Sequence, residues 1–421
     1  MTVRRLFASA GGPASVAGSA SPFIAGVTFG VSGGGNWFYG YYWWWITGMS
    51  PTVECALWCA APTAHGGTGN VFIPGSEVTS GTLQPGWNFI PLATPLQLAA
   101  SYDPGSSVSG SAYVAAVAAN GGFPATTSQF NAGDPFAAGI TSGPLVAYSG
   151  PTGSIPAPYS LGQGLFTVAG SDPTTNMPNQ SDSSGDGATN FWVDVAIGGP
   201  PAGFTGPYWT DGSKYDASPD ATGDIGTTYN LARQVNLTQA CELNATTFFS
   251  PSGASGLPTR CGVWSIASQA EIATIASPAW VKRADGSPAA AGDGAIMALW
   301  PAGTVLPAGQ YRVAVGNANG ALGTWSLKDA GSAPYVTGVY SAGTVNGPLV
   351  VPNLAAAAQA NVYQGSGTTS GQPSFAVTAA AYPDETTGAS PNQDYFVGLA
   401  ASPVAALSGL PYDYHHREYR R

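Results

Sequence analysis

The sequence predicts an all-β protein made of two tandem antiparallel β-sandwich modules, jelly-roll-like, that arose by internal duplication. Three observations predict it: short stretches alternating with period two between glycines and prolines, scarce helical periodicity, and collinear matches between the two halves of the chain.

The alternation is clearest in two stretches. In Phe191–Ile197, Phe191, Val193, Val195 and Ile197 point one way while Trp192 and Asp194 point the other. In Tyr311–Asn317, Tyr311, Val313 and Val315 share a face. Successive side chains of a strand leave opposite faces, so this is the pattern of half-buried antiparallel strands. The 58 glycines and 35 prolines supply the turns between them. Twelve Trp, nineteen Tyr and sixteen Phe supply enough apolar surface for proper cores. Only Leu354–Asn361 carries a helical signal, enough for two turns.

Three matches carry the duplication. Cys55-Ala-Leu-Trp58 matches Cys261-Gly-Val-Trp264 at a spacing of 206 residues. Ser142-Gly-Pro-Leu-Val146 matches Asn346-Gly-Pro-Leu-Val350 at 204, and Phe191-Trp192-Val193 matches Tyr395-Phe396-Val397, again at 204. Two copies at so long a period mean duplicated domains rather than a solenoid. The boundaries follow: a flexible Ala/Gly/Ser arm at 1–22, a module at 23–199, a Gly/Pro/Asp-rich linker at 200–228, a second module at 229–402 and a basic tail at 403–421.

Charge is the unusual bulk property, at 8% of residues against about 25% in ordinary soluble domains. Amides, hydroxyls and backbone must form the polar surface, which suits an extracellular or particle-borne protein. A formal net charge of −10 disfavours nucleic acid, whose phosphates call for clustered Lys and Arg. Arg4, Arg5, Arg417, Arg420 and Arg421 gather at the termini, read either as solvated ends or as arms that dock on acidic neighbours. No apolar run reaches the roughly 18 residues of a membrane helix. The stretch after Arg5 is too glycine-rich for a secretory signal. A soluble chain without its own export address is expected.

At Cys55–Trp58, Gly139–Ser149, Asn190–Ile197, Arg260–Trp264, Leu306–Val315, Asn346–Asn353 and Asp394–Ala400 each half resembles a known family. It is a β-sandwich domain of unassigned function found in actinobacterial surface proteins and in minor tail proteins of actinobacteriophages. The resemblance implies a structural virion protein, a phage minor tail protein exposed on the particle, that contacts other virion proteins and host cell-wall or surface glycan. A homo-oligomer is expected. The alternatives are a capsid decoration or head-fibre protein and a bacterial cell-surface carbohydrate-binding protein. The absent export signal favours the phage setting. The second half departs from the first at the closing strand, with Gly398 where the first has Asp194.

The catalytic inventory is poor, and no enzyme and no cofactor are expected. The three histidines are His65, His415 and His416, and none sits in a nucleophile, zinc or phosphate-loop motif. Lys214, Lys282 and Lys328 follow no phosphate-cradling glycine loop. Cys55 and Cys59 share a strand face some 13 Å apart, too far for a disulfide or a shared zinc. Cys241 and Cys261 are read either as a disulfide between neighbouring strands or as buried thiols. Asp182, Asp186 and Asp194 could gather around calcium, but the spacing fits plain Asx turns better, and no metal is expected.

The run Asn36–Thr47 carries the candidate site. In a strand, Trp43 and Trp45 face one side and Tyr42, Trp44 and Ile46 the other, so one aromatic set exceeds what a single core explains. The set Tyr42, Trp43, Trp44 and Trp45 is read either as core plus an interface or as a platform stacking on sugar rings.

Overall fold

A computed structural model of the protein describes residues 3–7, 12–13, 16–17, 22–31, 36–61, 69–98, 112–126, 140–147, 164–167, 170–178, 189–210, 221–224, 230–250, 254, 256–283, 286–316, 324–329, 344–352, 361–364, 393–394 and 397–404. These residues form antiparallel strands and no helix. The one helical expectation, at 354–361, falls outside the described residues except for Asn361, which opens the strand Asn361–Gln364.

In the N-terminal half two sheets enclose one core. The first sheet runs, in spatial order, Ile140–Ser142, Leu145–Ala147, Phe23–Val31, Ala112–Ala119, Glu54–Ala61 and Gly69–Phe72. The second sheet is Val193–Gly198, Asn36–Trp45 and Gly86–Leu98. Alternation directs Val27, Phe29 and Val31 from the first sheet, and Phe38, Tyr41, Trp43, Val193, Val195 and Ile197 from the second, into one buried cluster. Each such side chain contributes about 1.5–3 kcal/mol when fully buried. Phe191 joins them, so the face expected for Phe191, Val193, Val195 and Ile197 is the core face.

The C-terminal half repeats this plan. Its first sheet runs Thr344–Asn346, Leu349–Val351, Asn230–Leu237, Gly309–Gly316, Arg260–Ser265 and Glu271–Ala276. Its second sheet contains Gly398–Pro403, Cys241–Ser250 and Gly294–Leu299 in the matching order, with Tyr208–Trp209, Trp280–Lys282 and Val305–Leu306 added. Tyr311, Val313 and Val315 enter its core together, as their alternation predicts.

The likeness extends to register. Cys55 pairs with Val117, and Cys261 pairs with Val315. Leu145 pairs with Val31, and Leu349 with Leu237. Each closing strand meets its neighbour through a bulge, which skips Tyr39 in the first half and Asn244 in the second. Arg4 bridges to Ile197 just as Tyr208 pairs with Ala401, a spacing of 204 residues on both sides.

Two segments read as connectors from composition are in fact packed. The 1–22 arm is docked at residues 3–7, where Leu6 and Phe7 are buried. The 200–228 linker contains Tyr208–Trp209, buried as an outer strand on Gly398–Pro403. Both were masked by the same cause: a two-residue apolar anchor inside a Gly-rich stretch is too short to show a period. Of the tail, 405–421 lies outside the described residues.

The halves meet at a polar and aromatic joint. Gln97 donates through Nε2 to Asn346 Oδ1 at 2.9 Å, and Asn346 Nδ2 donates to the Trp209 carbonyl at 2.8 Å. Beside them Trp37 meets Phe204 edge-on at 4.4 Å, and Phe204 meets Tyr208 at 5.0 Å.

Candidate functional site

The outer face of the sheet Val193–Gly198, Asn36–Trp45 and Gly86–Leu98 carries a row of rings. Period two puts Tyr42 and Trp44 on the face opposite Tyr41 and Trp43, and the register sets Trp87 across from Trp44 and Phe89 across from Tyr42. Ring centroids run Phe89–Tyr42 at 4.8 Å, Tyr42–Trp87 at 6.5 Å, Trp87–Trp44 at 5.4 Å and Trp44–Trp192 at 6.1 Å. Phe7 closes the row 6.0 Å from Trp192.

The row is graded from buried to open. Trp192 is buried, and its backbone takes a φ of 55°, a left-handed conformation that costs a bulky residue about 1–3 kcal/mol. Asn190 Oδ1 accepts the Trp192 N–H at 2.8 Å and Thr126 Oγ1 accepts its indole N–H at 2.9 Å, which holds the ring in place. At the other end Phe89 is 45% exposed. Tyr42, Trp44 and Trp87 are half-buried between them.

Asp194 organises the buried end. Its side chain is on the ring face and is 0% exposed. It accepts the backbone N–H groups of Leu6 at 2.8 Å, Phe7 at 3.0 Å and Val195 at 2.7 Å. Arg5 Nε completes the set at 3.2 Å, and its guanidinium lies 3.6 Å above the Tyr42 ring and 4.5 Å from that of Trp87. Burial pushes the Asp194 carboxyl above its usual range, while Arg5 and then the Leu6, Phe7 and Val195 N–H groups pull it back down. Gly12 continues the strap across Trp44, so close to the indole that a Cβ would overlap it. Arg5 is thus held on Asp194 of its own chain rather than solvated.

The four predicted platform residues divide. Trp43 is 0% exposed in the core, where no ligand reaches it, because it alternates inward with Tyr41. Trp45 packs partly against the same core and donates its indole N–H to the Ser50 carbonyl at 2.8 Å. Tyr42 and Trp44 share the outer face as expected, but Ile46, expected beside them, packs partly against the core. Trp87, Phe89, Trp192, Arg5 and Phe7 were not anticipated in the set. The Trp87-x-Phe89 spacing in Gly86–Leu98 was the available signal.

The other candidates resolve simply. Cys241 and Cys261 belong to opposite sheets of the C-terminal core and are free buried thiols, as is Cys55. The Cys59 side chain, Asp182, Asp186 and the three histidines lie outside the described residues. Asp194 serves the strap. Among the described residues no group of three His, Cys, Asp or Glu could hold a metal ion. In the C-terminal half Gly398 pairs with Thr247 where Asp194 pairs with Tyr42, so the carboxylate anchor belongs to the first half alone.

This arrangement can stack planar or ring-shaped partners and hold cations over rings. No known protein family, curated protein or solved structure matches the chain.

Proposed function

We propose that the chain is a non-enzymatic structural protein of a phage particle, placed in the tail and exposed on its surface, whose aromatic face contacts host surface glycan. The observation that carries this reading is the open end of the ring row. Phe89 and Tyr42 lie 4.8 Å apart at an interplanar angle of 34°, with Phe89 45% exposed, a surface on which the apolar faces of sugar rings can stack. The joint through Gln97, Asn346 and Trp209 supports a fixed adaptor rather than two tethered beads. The shared register of the two sandwiches supports their descent from one duplicated module. The tail placement rests on the sequence resemblance.

Immunogold labelling of intact particles tests the placement: label along the tail is expected, and label on the head would move the protein to capsid decoration. A glycan array tests the contact, with retention expected for the wild type and lost in Phe89→Ala. Retention by the isolated protein together with labelling of bacterial envelopes instead of particles would favour a cell-surface carbohydrate-binding protein. Polysaccharide hydrolysis that disappears on carboxylate substitution would overturn the non-enzymatic assignment.

A further inference from the structure

The two sandwiches differ at one edge. In the C-terminal half, Gly294–Leu299 is covered by Trp280–Lys282, with Trp280 opposite Ala298, Val281 opposite Met297 and Lys282 opposite Ile296. In the N-terminal half the counterpart strand is Gly86–Leu98, and no described strand pairs with its outer edge. Shared register makes the correspondence definite: Trp43 faces Asn88 where Phe248 faces Ile296, so Phe89 stands for Met297 and Ile90 for Ala298.

The length of the connecting segment explains the difference. Ser80 donates its N–H to the Val53 carbonyl, and Ser277 does the same to Thr259, the residue 206 positions on. From these equivalent points the chain reaches Gly86 in 6 residues but Gly294 in 17, and both glycines have positive φ. The longer segment includes the covering strand.

What the covering strand fills in one half is an open groove in the other. A groove of about 360 Å³ lies along Asn88–Pro91, at the lower end of the roughly 300–1,000 Å³ of ligand sites. Ile90 and Leu83 are buried beneath it, and Thr79 and Thr82 are exposed at its rim. In the covered half the matching space holds Trp280, buried against Phe248 with its indole N–H on the Pro258 carbonyl at 2.6 Å.

The backbone of this edge is also oriented for pairing. Trp44 donates its N–H to the Trp192 carbonyl, away from Trp87, so Trp44 and Trp87 form a non-hydrogen-bonded pair. Pairs alternate along an antiparallel ladder, so Tyr42 and Phe89 are another such pair. The N–H and C=O of Phe89 therefore face the open edge. In the covered half, Arg283 donates to the Ala295 carbonyl at 3.1 Å, which by the same alternation makes Val281 and Met297 a bonded pair. Pro85 and Pro91 bound the open stretch and limit it to a short incoming strand.

We propose that the edge Gly86–Ile90 is a strand-acceptor site for an extended segment of a partner polypeptide, which pairs antiparallel with Phe89 and places a large aromatic side chain in the groove over Leu83 and Ile90. This site uses the strand's edge rather than its ring face, so it stands or falls independently of glycan contact.

The test titrates the full chain with a synthetic peptide of residues 277–284, Ser-Pro-Ala-Trp-Val-Lys-Arg-Ala, by calorimetry, with amide exchange followed at Phe89. Saturable one-to-one binding that slows exchange at Phe89 is expected. N-methylation of the peptide's valine, which removes the N–H that pairs with Phe89, should weaken binding about tenfold or more, as should alanine in place of its tryptophan. No saturable binding up to about 1 mM peptide, or undiminished binding of the N-methylated peptide, would overturn the proposal.

Discussion

Gln97 and Asn346, 249 residues apart, share a buried 2.9 Å hydrogen bond that ties the core of one sandwich to the other. Asn346 also holds the Trp209 carbonyl, so its amide spans both halves. Asn346→Ala is expected to cost about 2–3 kcal/mol, because it strands a buried acceptor and a buried donor, and Gln97→Ala about 1 kcal/mol. Calorimetry checks this: the wild type should unfold in one transition and Asn346→Ala in two. X-ray scattering should show a broader distribution of sizes for the variant.

Asp194→Ala should release the N-terminal strap at a cost of about 3 kcal/mol, the range for breaking a buried ion pair. The same substitution in a chain that begins at residue 8 should cost far less, since the partners are already gone. Limited proteolysis between residues 7 and 23, with tryptophan emission as a second readout, distinguishes the two backgrounds.

Trp43 and Phe89 should separate stability from binding. Trp43→Ala empties a core position and should cost about 3–5 kcal/mol. Phe89→Ala should stay within about 0.5 kcal/mol of wild type, yet lose glycan retention. Denaturant titration paired with a glycan array measures both.

Alkaline pH should destabilise the fold. Burial pushes the Cys241 thiol from 9.0 up to about 11, and raises the Cys55 and Cys261 thiols and the Tyr41 hydroxyl as well. A raised folded value means the folded state holds its proton longer than the unfolded chain. Stability from these groups is complete below pH 9 and is lost as pH rises from there through the folded values. Thermal melts from pH 8 to 11 should show a falling midpoint. Thiol reagents at pH 8 should label Cys55, Cys241 and Cys261 only after denaturation.

Much of the fold was legible because its signals are local. Val193, Val195 and Ile197 announce a core face by alternation alone, and Cys55–Trp58 against Cys261–Trp264 announces the strand order that the two halves share. The ring row was half legible: Tyr42 and Trp44 could be assigned a face, but not their neighbours. Trp87 and Trp192 join them only through strand pairing, which no short window contains. The strap was illegible for a further reason. Asp194 recognises Leu6 and Phe7 through their backbone N–H groups, and backbone donors leave no mark on sequence. The joint between Gln97 and Asn346 is hidden in the same way, as two ordinary amides far apart in the chain.

The strap bears on the order in which the first sandwich can form. Residues 3–7 emerge from the ribosome some 190 positions ahead of Asp194, and their bridge at Ile197 comes later still. Tyr208–Trp209, by contrast, is made just after the first sandwich's closing strand and must likewise await its own at Gly398–Pro403. In each half an early-made segment has its docking partner made near the end, so the long loop that it closes has no site to close on until then. Until Asp194 is made, the strap that crosses Trp44 has no anchor, and that interval is when a growing chain is most open to association with its neighbours.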